Sequence, residues 1–314
     1  MQRNYGKMKI LVTGGAGFIG SHIVDLLIEK GFEIVVIDDL SKGNIMNVNK
    51  RAKFYKLDIL SKDIGDIFRK ENFDVVIHEA AKTNVRKSLK EPIDYVQVNI
   101  VGTLNLLECC RRFNVKKFIY AASASRYGEP EVLPCDESHS TNPKSPYAIS
   151  KHVGEKFIKL YSELYGIKFT ILIYSNVYGE RQDTSEESGV IPIFINKLLK
   201  NETPFIFGDG NQTRDFTYVR DVAYANYLAL INKETENKIF NLCGNKETSI
   251  NELLEIICGI LEKKKVGIYK DKIKGEIEKI FLSNKLLGES VGWRPETDIE
   301  EGLKKTIDYY AELQ

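Results

Sequence analysis

The chain has 314 residues, 43% of them hydrophobic and 28% charged, an ordinary globular balance that allows a substantial core. Forty-five Lys and Arg against 44 Asp and Glu leave a formal charge of +1. No strong field therefore favours a nucleic acid or an anionic membrane surface, and any positive site must be local. Five cysteines, an odd number with no C-x-x-C pair, argue against a disulfide framework and suit reduced thiols in a cytoplasmic protein.

The leading stretch MQRNYGKMKILVTGG has only a short apolar run before its glycines and does not match a secretory signal. No stretch is long enough to span a bilayer. Lys9 to Thr13 is predicted as a strand, Phe18 to Lys30 as a helix and Glu33 to Asp38 as a second strand, a βαβ unit of about 30 residues. Strands are also predicted at Lys53 to Leu57, Asp74 to His78, Lys117 to Ala121 and Phe169 to Ile173, with helices at Tyr95 to Phe113 and Tyr147 to Tyr165. This alternation predicts an α/β fold, a Rossmann-type doubly wound parallel sheet covered on both faces. After Ser175 the rhythm breaks into loops such as FGDGNQTRD, with helices at Val190 to Lys200 and Ile250 to Lys263. A smaller, partly interleaved C-terminal domain is expected there. The expected division is a dinucleotide-binding part at 1–175, to which 217–243 return, and a substrate-binding part at 176–216 and 244–314, with the cleft between them at the carboxyl ends of the strands.

TGGAGFIG places Gly15, Gly17 and Gly20 in G-x-G-x-x-G spacing, and Gly14, Gly17 and Gly20 in the related G-x-x-G-x-x-G spacing. Between a predicted strand and a predicted helix, such glycines let bare backbone approach a pyrophosphate that faces the helix N-terminus. Asp38 ends the second predicted strand, where a carboxylate accepts from a ribose diol and repels a 2′-phosphate, so NAD is expected rather than NADP. Asp58, after the third strand, is a candidate adenine contact. Tyr147 and Lys151 stand four apart in SPYAISKHVGEKF and would share one helix face. That spacing alone fits a solvated pair as well as a functional one. His22, His78, His139 and His152 are scattered, without metal-ligand spacing, and no metal is expected.

TGGAGFIG, VIDDL, VIHEAA, NIVGTLNLLE, YAASASRYGE, SPYAISK, YSNVYGERQD and GDGNQTRDFTYVRDV, in this order, run through almost the whole chain. Together they resemble the extended short-chain dehydrogenases/reductases, and specifically the NAD-dependent nucleotide-sugar epimerase/dehydratase family, nearest its UDP-glucose 4-epimerases. The resemblance implies that Tyr147 is the catalytic base, Lys151 its electrostatic partner and contact to the nicotinamide ribose, and Ser123 the third catalytic group, with Ser125 as the fallback. A free tyrosine has a pKa of about 10, and a nearby cation lowers it by about 1 to 3 units. The resemblance also implies cofactor contacts from Gly14, Gly17, Phe18, Ile19, Gly20, Asp38, Asp39, Leu40, Asp58, Ile59, Ala80, Ala81 and Asn99, together with Tyr147 and Lys151. Asn176, Val190, Phe207 and Arg214 would join Ser123 around a UDP-sugar, Arg214 on the diphosphate. The implied chemistry is oxidation of the sugar at C4 to a 4-ketose and hydride return to its opposite face. A homodimer through the helices at 95–113 and 147–165 is implied as well.

Two other readings stand beside the epimerase. A 4,6-dehydratase or decarboxylase needs an acid just after the strand-five hydroxyl, where this chain has Ala124 and Ser125, and a dinucleotide-sensing module has little reason to keep Ser123, Tyr147 and Lys151 together. Three places depart from the family pattern. Ile173 stands where arginine is usual, Arg126 where a small apolar residue is usual, and Lys272 to Glu276 where an arginine precedes a P-G-D turn, with Lys272 or Lys274 as substitutes. Ile280 falls near a residue that limits sugar size.

Overall fold

The computed structural model describes residues 8–185, 188–272 and 277–313. Six strands with intervening helices open the chain: β1 (Lys9–Thr13), α1 (Phe18–Glu29), β2 (Glu33–Asp38), β3 (Lys53–Lys56), α2 (Ile64–Glu71), β4 (Val75–His78), α3 (Val85–Lys90), α4 (Pro92–Val96), α5 (Thr103–Arg112), β5 (Lys117–Ser123), α6 (Pro146–Tyr165) and β6 (Lys168–Tyr174). They are followed by β7 (Asn176–Tyr178), α7 (Val190–Leu199), β8 (Phe205–Phe207), β9 (Thr213–Tyr218), α8 (Val219–Ile231), β10 (Lys238–Leu242), β11 (Glu247–Ser249), α9 (Ile250–Ile260), β12 (Ile268–Lys270), α10 (Lys285–Val291) and α11 (Ile299–Glu312).

Seven strands form one parallel sheet in the order β3-β2-β1-β4-β5-β6-β10, so the predicted doubly wound architecture is present. Val12 lies opposite Val36 on one side and Ile77 on the other, and all three are fully buried, as a strand covered on both faces requires. Ile23, Val24 and Leu27 of α1, with Val222 and Leu228 of α8, cover one face. Phe68 of α2, Leu106 and Leu107 of α5 and Ile158 of α6 cover the other. Each such side chain contributes about 2 kcal/mol by leaving water. A third core joins α7, α9 and α11 through Phe194, Leu254 and Leu303, beside a small sheet in the order β11-β9-β7.

α6 begins where Ser145 Oγ accepts the Ala148 amide at 3.1 Å and Pro146 fixes the first turn, and it stops at Gly166, whose φ of +73° suits glycine. The helix predicted from Tyr95 to Phe113 is interrupted. α4 ends at Val96, residues Gln97–Gly102 form a wide π-type turn, and α5 starts at Thr103. Such turns re-aim a side chain, and here the turn buries Asn99.

All five cysteines are buried free thiols, and burial pushes Cys109 and Cys135 up to about 11, so they are poor nucleophiles at neutral pH. Among the described residues no helix is long and apolar enough to cross a membrane, and no cluster of three or more His, Cys, Asp or Glu could hold a metal.

At the amino end of the sheet Glu71 gathers Lys9, Lys53 and the Tyr55 hydroxyl. Burial raises its pKa, but these three donors outweigh it and hold the carboxyl at about 2. A carboxyl depressed in the folded state stabilises it above the unfolded value near 4.5, and that stability is lost as pH falls toward 2. Glu71→Gln is therefore expected to lower the thermal midpoint at pH 7 and to match the parent chain near pH 2, as melting curves across that range will show.

Candidate active site

In a parallel sheet the carboxyl ends of all strands lie on one rim. Here that rim carries the glycine turn after β1, Asp38 at the end of β2, Glu79 and Ala80 after β4, Ser123 at the end of β5 and Asn176 just past β6. Five segments far apart in sequence thus converge on one cleft.

At the glycine turn, the Gly14 amide bonds Ile37 O at 2.9 Å and the Gly17 amide bonds Gly14 O at 3.0 Å. Gly14 has φ +72°, and a Cβ there would lie 2.7 Å from the Ala80 nitrogen. A Cβ on Gly20 would collide with the Gly14 carbonyl oxygen. A Cβ on Gly17 would touch only that oxygen, at 3.1 Å, and would otherwise fill the space in front of the turn. No side chain caps α1 and no acid lies in its first turn, so the amides behind Gly17, those of Phe18 and Ile19 included, are left for an external anion. The cradle fits a pyrophosphate.

Asp38 is buried. Its Oδ2 accepts the Ala16 amide at 3.0 Å and its Oδ1 the Leu40 amide at 2.9 Å, which keeps both oxygens at the rim with lone pairs to spare for a diol. Burial pushes its pKa up, against those two amide bonds. Leu40 adopts φ +63°, which turns the chain back after β2, and Asp39 is spent on Ser41. Asp58 is exposed and accepts the Leu60 amide at 2.9 Å, while Ile59 beside it is buried. Ala80 lines the rim opposite Gly14, and Ala81 follows it half-buried. Asn99 is anchored within the protein. Its amide donates to Lys82 O and Ser150 Oγ, both at 2.9 Å, and its carbonyl accepts the Lys82 amide at 2.8 Å. With both amide hydrogens used within the protein, it ties the loop after Ala81 to α6.

Ser123 stands beside Tyr147 and favours its phenolate, and the serine hydroxyl accepts from the Ser125 hydroxyl at 2.9 Å. The Tyr147 ring packs edge-on against Tyr95, 6.4 Å between centroids, and stays half-buried. Lys151, one turn on, is buried with its ammonium 4.2 Å above the Tyr120 ring centre. The expectation that Lys151 pulls the phenol down is not met by the protein groups on their own. Burial pushes Tyr147 up, and Ser123 is the group that opposes it. Burial likewise pulls Lys151 down, while the carboxylates of Glu79 and Glu155 push it back.

Glu79 is a residue that sequence reasoning missed. It follows β4 and accepts the Tyr174 hydroxyl at 2.8 Å, and that hydroxyl in turn accepts from Asn226 Nδ2 at 2.7 Å. Burial pushes its pKa up, with Tyr174 and Lys151 opposing. A charge inside the otherwise apolar VIHEAA was the available signal. His78, by contrast, is fixed beneath the site as a neutral ring. Thr103 gives its proton to Asn99 O at 2.7 Å, so at 2.9 Å it accepts from His78 Nε2, which leaves Nδ1 to accept from Thr13 at 2.7 Å. Burial holds its pKa well below the ordinary value, in keeping with that state.

On the far wall Asn176 is exposed on β7, Val190 opens α7 and Phe207 ends β8. Phe207 lines a cavity of about 150 Å³ with Asp209, Gln212, Lys272 and Glu278. Arg86 of α3 reaches over the Phe207 ring at 5.5 Å, a cation from the opposite wall that the sequence did not flag. Arg214 Nη1 donates to Thr213 O at 2.7 Å. Its neighbour Asp215 is buried and accepts the Gly244 and Leu282 amides, at 2.7 and 3.2 Å. Lys272 pairs with Glu278, and Lys274 lies outside the described residues. Ile173 is wholly buried opposite Ala122, and Ile280 is buried in the core that also holds Tyr127 and Cys135.

A cradle for a pyrophosphate, a carboxylate for a ribose and a Ser-Tyr-Lys set at the same rim can bind a dinucleotide and move a proton at an adjacent alcohol. Comparison with known proteins agrees. The profile of the NAD-dependent epimerase/dehydratase family matches residues 10–243. A protein of Methanocaldococcus jannaschii, provisionally assigned as a UDP-glucose 4-epimerase, is 50% identical over 301 residues, 96% of this chain and 97% of its own. The crystal structure of UDP-glucose 4-epimerase from Thermotoga maritima with UDP-glucose has a TM-score of 0.95 at 41% identity, covering 98% of this chain and 99% of that one. The Thermus thermophilus UDP-glucose 4-epimerase complex with NAD has a TM-score of 0.91 at 38% identity, with coverage of 96% and 99%. The chain belongs to the NAD-dependent epimerase/dehydratase family.

Proposed function

We propose that this protein inverts C4 of a UDP-sugar, interconverting UDP-glucose and UDP-galactose. The observation that carries the reading is the placement of Ser123 beside Tyr147, with Lys151 one helical turn on, at the rim that also bears the glycine cradle. Gly14, Gly17 and Gly20 with the first amides of α1 would hold the NAD pyrophosphate, and Asp38 its adenosine ribose. Bound NAD supplies a hydride acceptor and donor at the sugar carbon.

The rest falls to the chain's own residues. Tyr147 takes the C4 hydroxyl proton and returns it after the sugar has turned its other face, while Ser123 holds the same oxygen through its hydroxyl. Lys151 supplies positive charge one helical turn from the phenol, which favours the phenolate. Because burial raises the phenol, turnover should climb as pH rises through its pKa. Asn176, Val190, Phe207 and Arg214 would hold the nucleotide, leaving the sugar free to rotate. The strand-five turn supplies no acid for dehydration, since Ala124 is apolar and Ser125 bonds Ser123.

The test is an assay of C4 interconversion with UDP-glucose, UDP-galactose and their N-acetyl forms, with product analysis. Conversion of at least one pair supports the reading. Retained NAD without conversion of any would favour a sensing module.

The same reading includes a homodimer. Ile93 is 68% exposed and Leu164 60% exposed, and with Ile149 and Leu160 they leave apolar side chains uncovered on α4 and α6. Light scattering at low micromolar concentration is expected to give twice the chain mass, and a monomer mass would remove the proposal. Five free buried thiols suit the reducing cytoplasm.

A further inference from the structure

Arg126 and Glu155 form an ion pair at 2.8 Å, with side chains only 8% and 1% exposed. Arg126 lies in the short turn that follows Ser123, and Glu155 lies one turn beyond Lys151 on α6. The pair therefore bridges the two elements that carry the reacting groups, and its two members are 29 positions apart in sequence.

Removing two charges from water costs so much that a buried pair is weak evidence for stability. This one is also incompletely satisfied: the 2.8 Å contact is ionic without hydrogen-bond geometry, and Arg126 Nε and Nη1 and Glu155 Oε1 find no hydrogen-bond partner among the described residues. A half-satisfied buried network is worse for stability than an apolar core. An arginine kept there at such a cost points to work at the site next to it.

We infer that Arg126 is a positioning residue for the reaction: as counter-ion of Glu155 it clamps the turn after Ser123 onto α6 and cancels the carboxylate's charge one turn from Lys151. The inference rests on the reading of Tyr147 as the base and of Lys151 as its cationic partner. The groups facing Glu155 are Arg126 and Tyr127 from the turn, Tyr120 from β5, and Lys151, His152 and Lys159 from α6. Those facing Lys151 are Glu79, His78, Tyr120 and Glu155. Within these sets Arg126 is the permanent cation that balances Glu155.

The sign of each change follows. Without Arg126, an unbalanced anion stands one turn from Lys151 and two turns from Tyr147 on the same helix and favours their protonated forms, so the acid limb of the kcat profile moves to higher pH. Without Glu155, the unbalanced arginine moves the limb to lower pH. The experiment measures kcat and KM for the UDP-sugar against pH, on NAD-loaded protein, for Arg126→Met, Glu155→Gln and the double variant, with circular dichroism to confirm folding. Expected are opposite displacements of about half a unit or more, equivalent to about threefold in kcat on the limb, with KM little changed. The double variant is expected to return toward the parent profile. If Met prevents folding, Arg126→Gln keeps amide donors against the carboxylate and must show the same alkaline displacement. Equal losses in both single variants with unmoved limbs, or a double variant no better than either, would overturn the inference while leaving the epimerase reading intact. Parent protein that converts no UDP-sugar would overturn both.

Discussion

Replacing Tyr147 by phenylalanine is expected to lower kcat for C4 interconversion by about 10³-fold, the scale of a lost general base, or about 4 kcal/mol of barrier. The ring itself packs edge-on against Tyr95, and phenylalanine preserves that contact, so the cleft keeps its shape. Binding of the UDP-sugar should change little, which makes the loss one of turnover rather than affinity. Ser123 cannot replace the phenol. Its oxygen already accepts from Ser125, and an alcohol lacks the adjacent cation needed to stabilise its anion. Steady-state kinetics with an equilibrium binding measurement will separate the two effects. A variant that retained more than a tenth of the parent turnover would move the base elsewhere, and Glu79 would then be the first group to examine.

Gly20→Ala is expected to produce the second large effect, on cofactor retention. The added methyl would collide with the Gly14 carbonyl oxygen, which is backbone and cannot swing aside as a flexible side chain would. Relief requires the turn to open or α1 to withdraw. Either motion spreads the amides that converge on a pyrophosphate. Overpacking of this kind costs up to about 3 kcal/mol, and if the bound state bears that cost, NAD affinity falls by about 100-fold. Titration calorimetry, or the NAD content after gel filtration, will measure it, with melting curves to show how much of the strain the unliganded fold bears. Undiminished NAD affinity would mean that the pyrophosphate does not sit on this turn.

Much of this site was legible because its signals are local. A buried strand running into glycines and then a helix is written in consecutive residues, and so are Asp38 at a strand end and the four-residue step from Tyr147 to Lys151. What escaped was non-local. Glu79 acquires meaning from Tyr174, 95 positions away, and Asn99 from Ser150, 51 positions away. The π-type turn that buries Asn99 is invisible to a search for helical periodicity, since the apolar spacing continues through it. The direction of the Tyr147 shift was missed for a related reason. Spacing shows which charge is near, but the dominant influence is how much water the fold removes, and that depends on Tyr95, Ser123 and the sheet beneath.

The threonine-held ring of His78 has a consequence for where acidity can travel. Its chain of donors runs from Thr13 through the imidazole to Thr103 and ends on the Asn99 carbonyl oxygen, which has no hydrogen to pass onward. A Grotthuss wire cannot pass a dead end of that kind, so no exit leads down through the imidazole to the underside of the sheet. On the proposed mechanism, the hydrogen ion taken from the sugar alcohol remains at the mouth of the cleft until the same alcohol reclaims it.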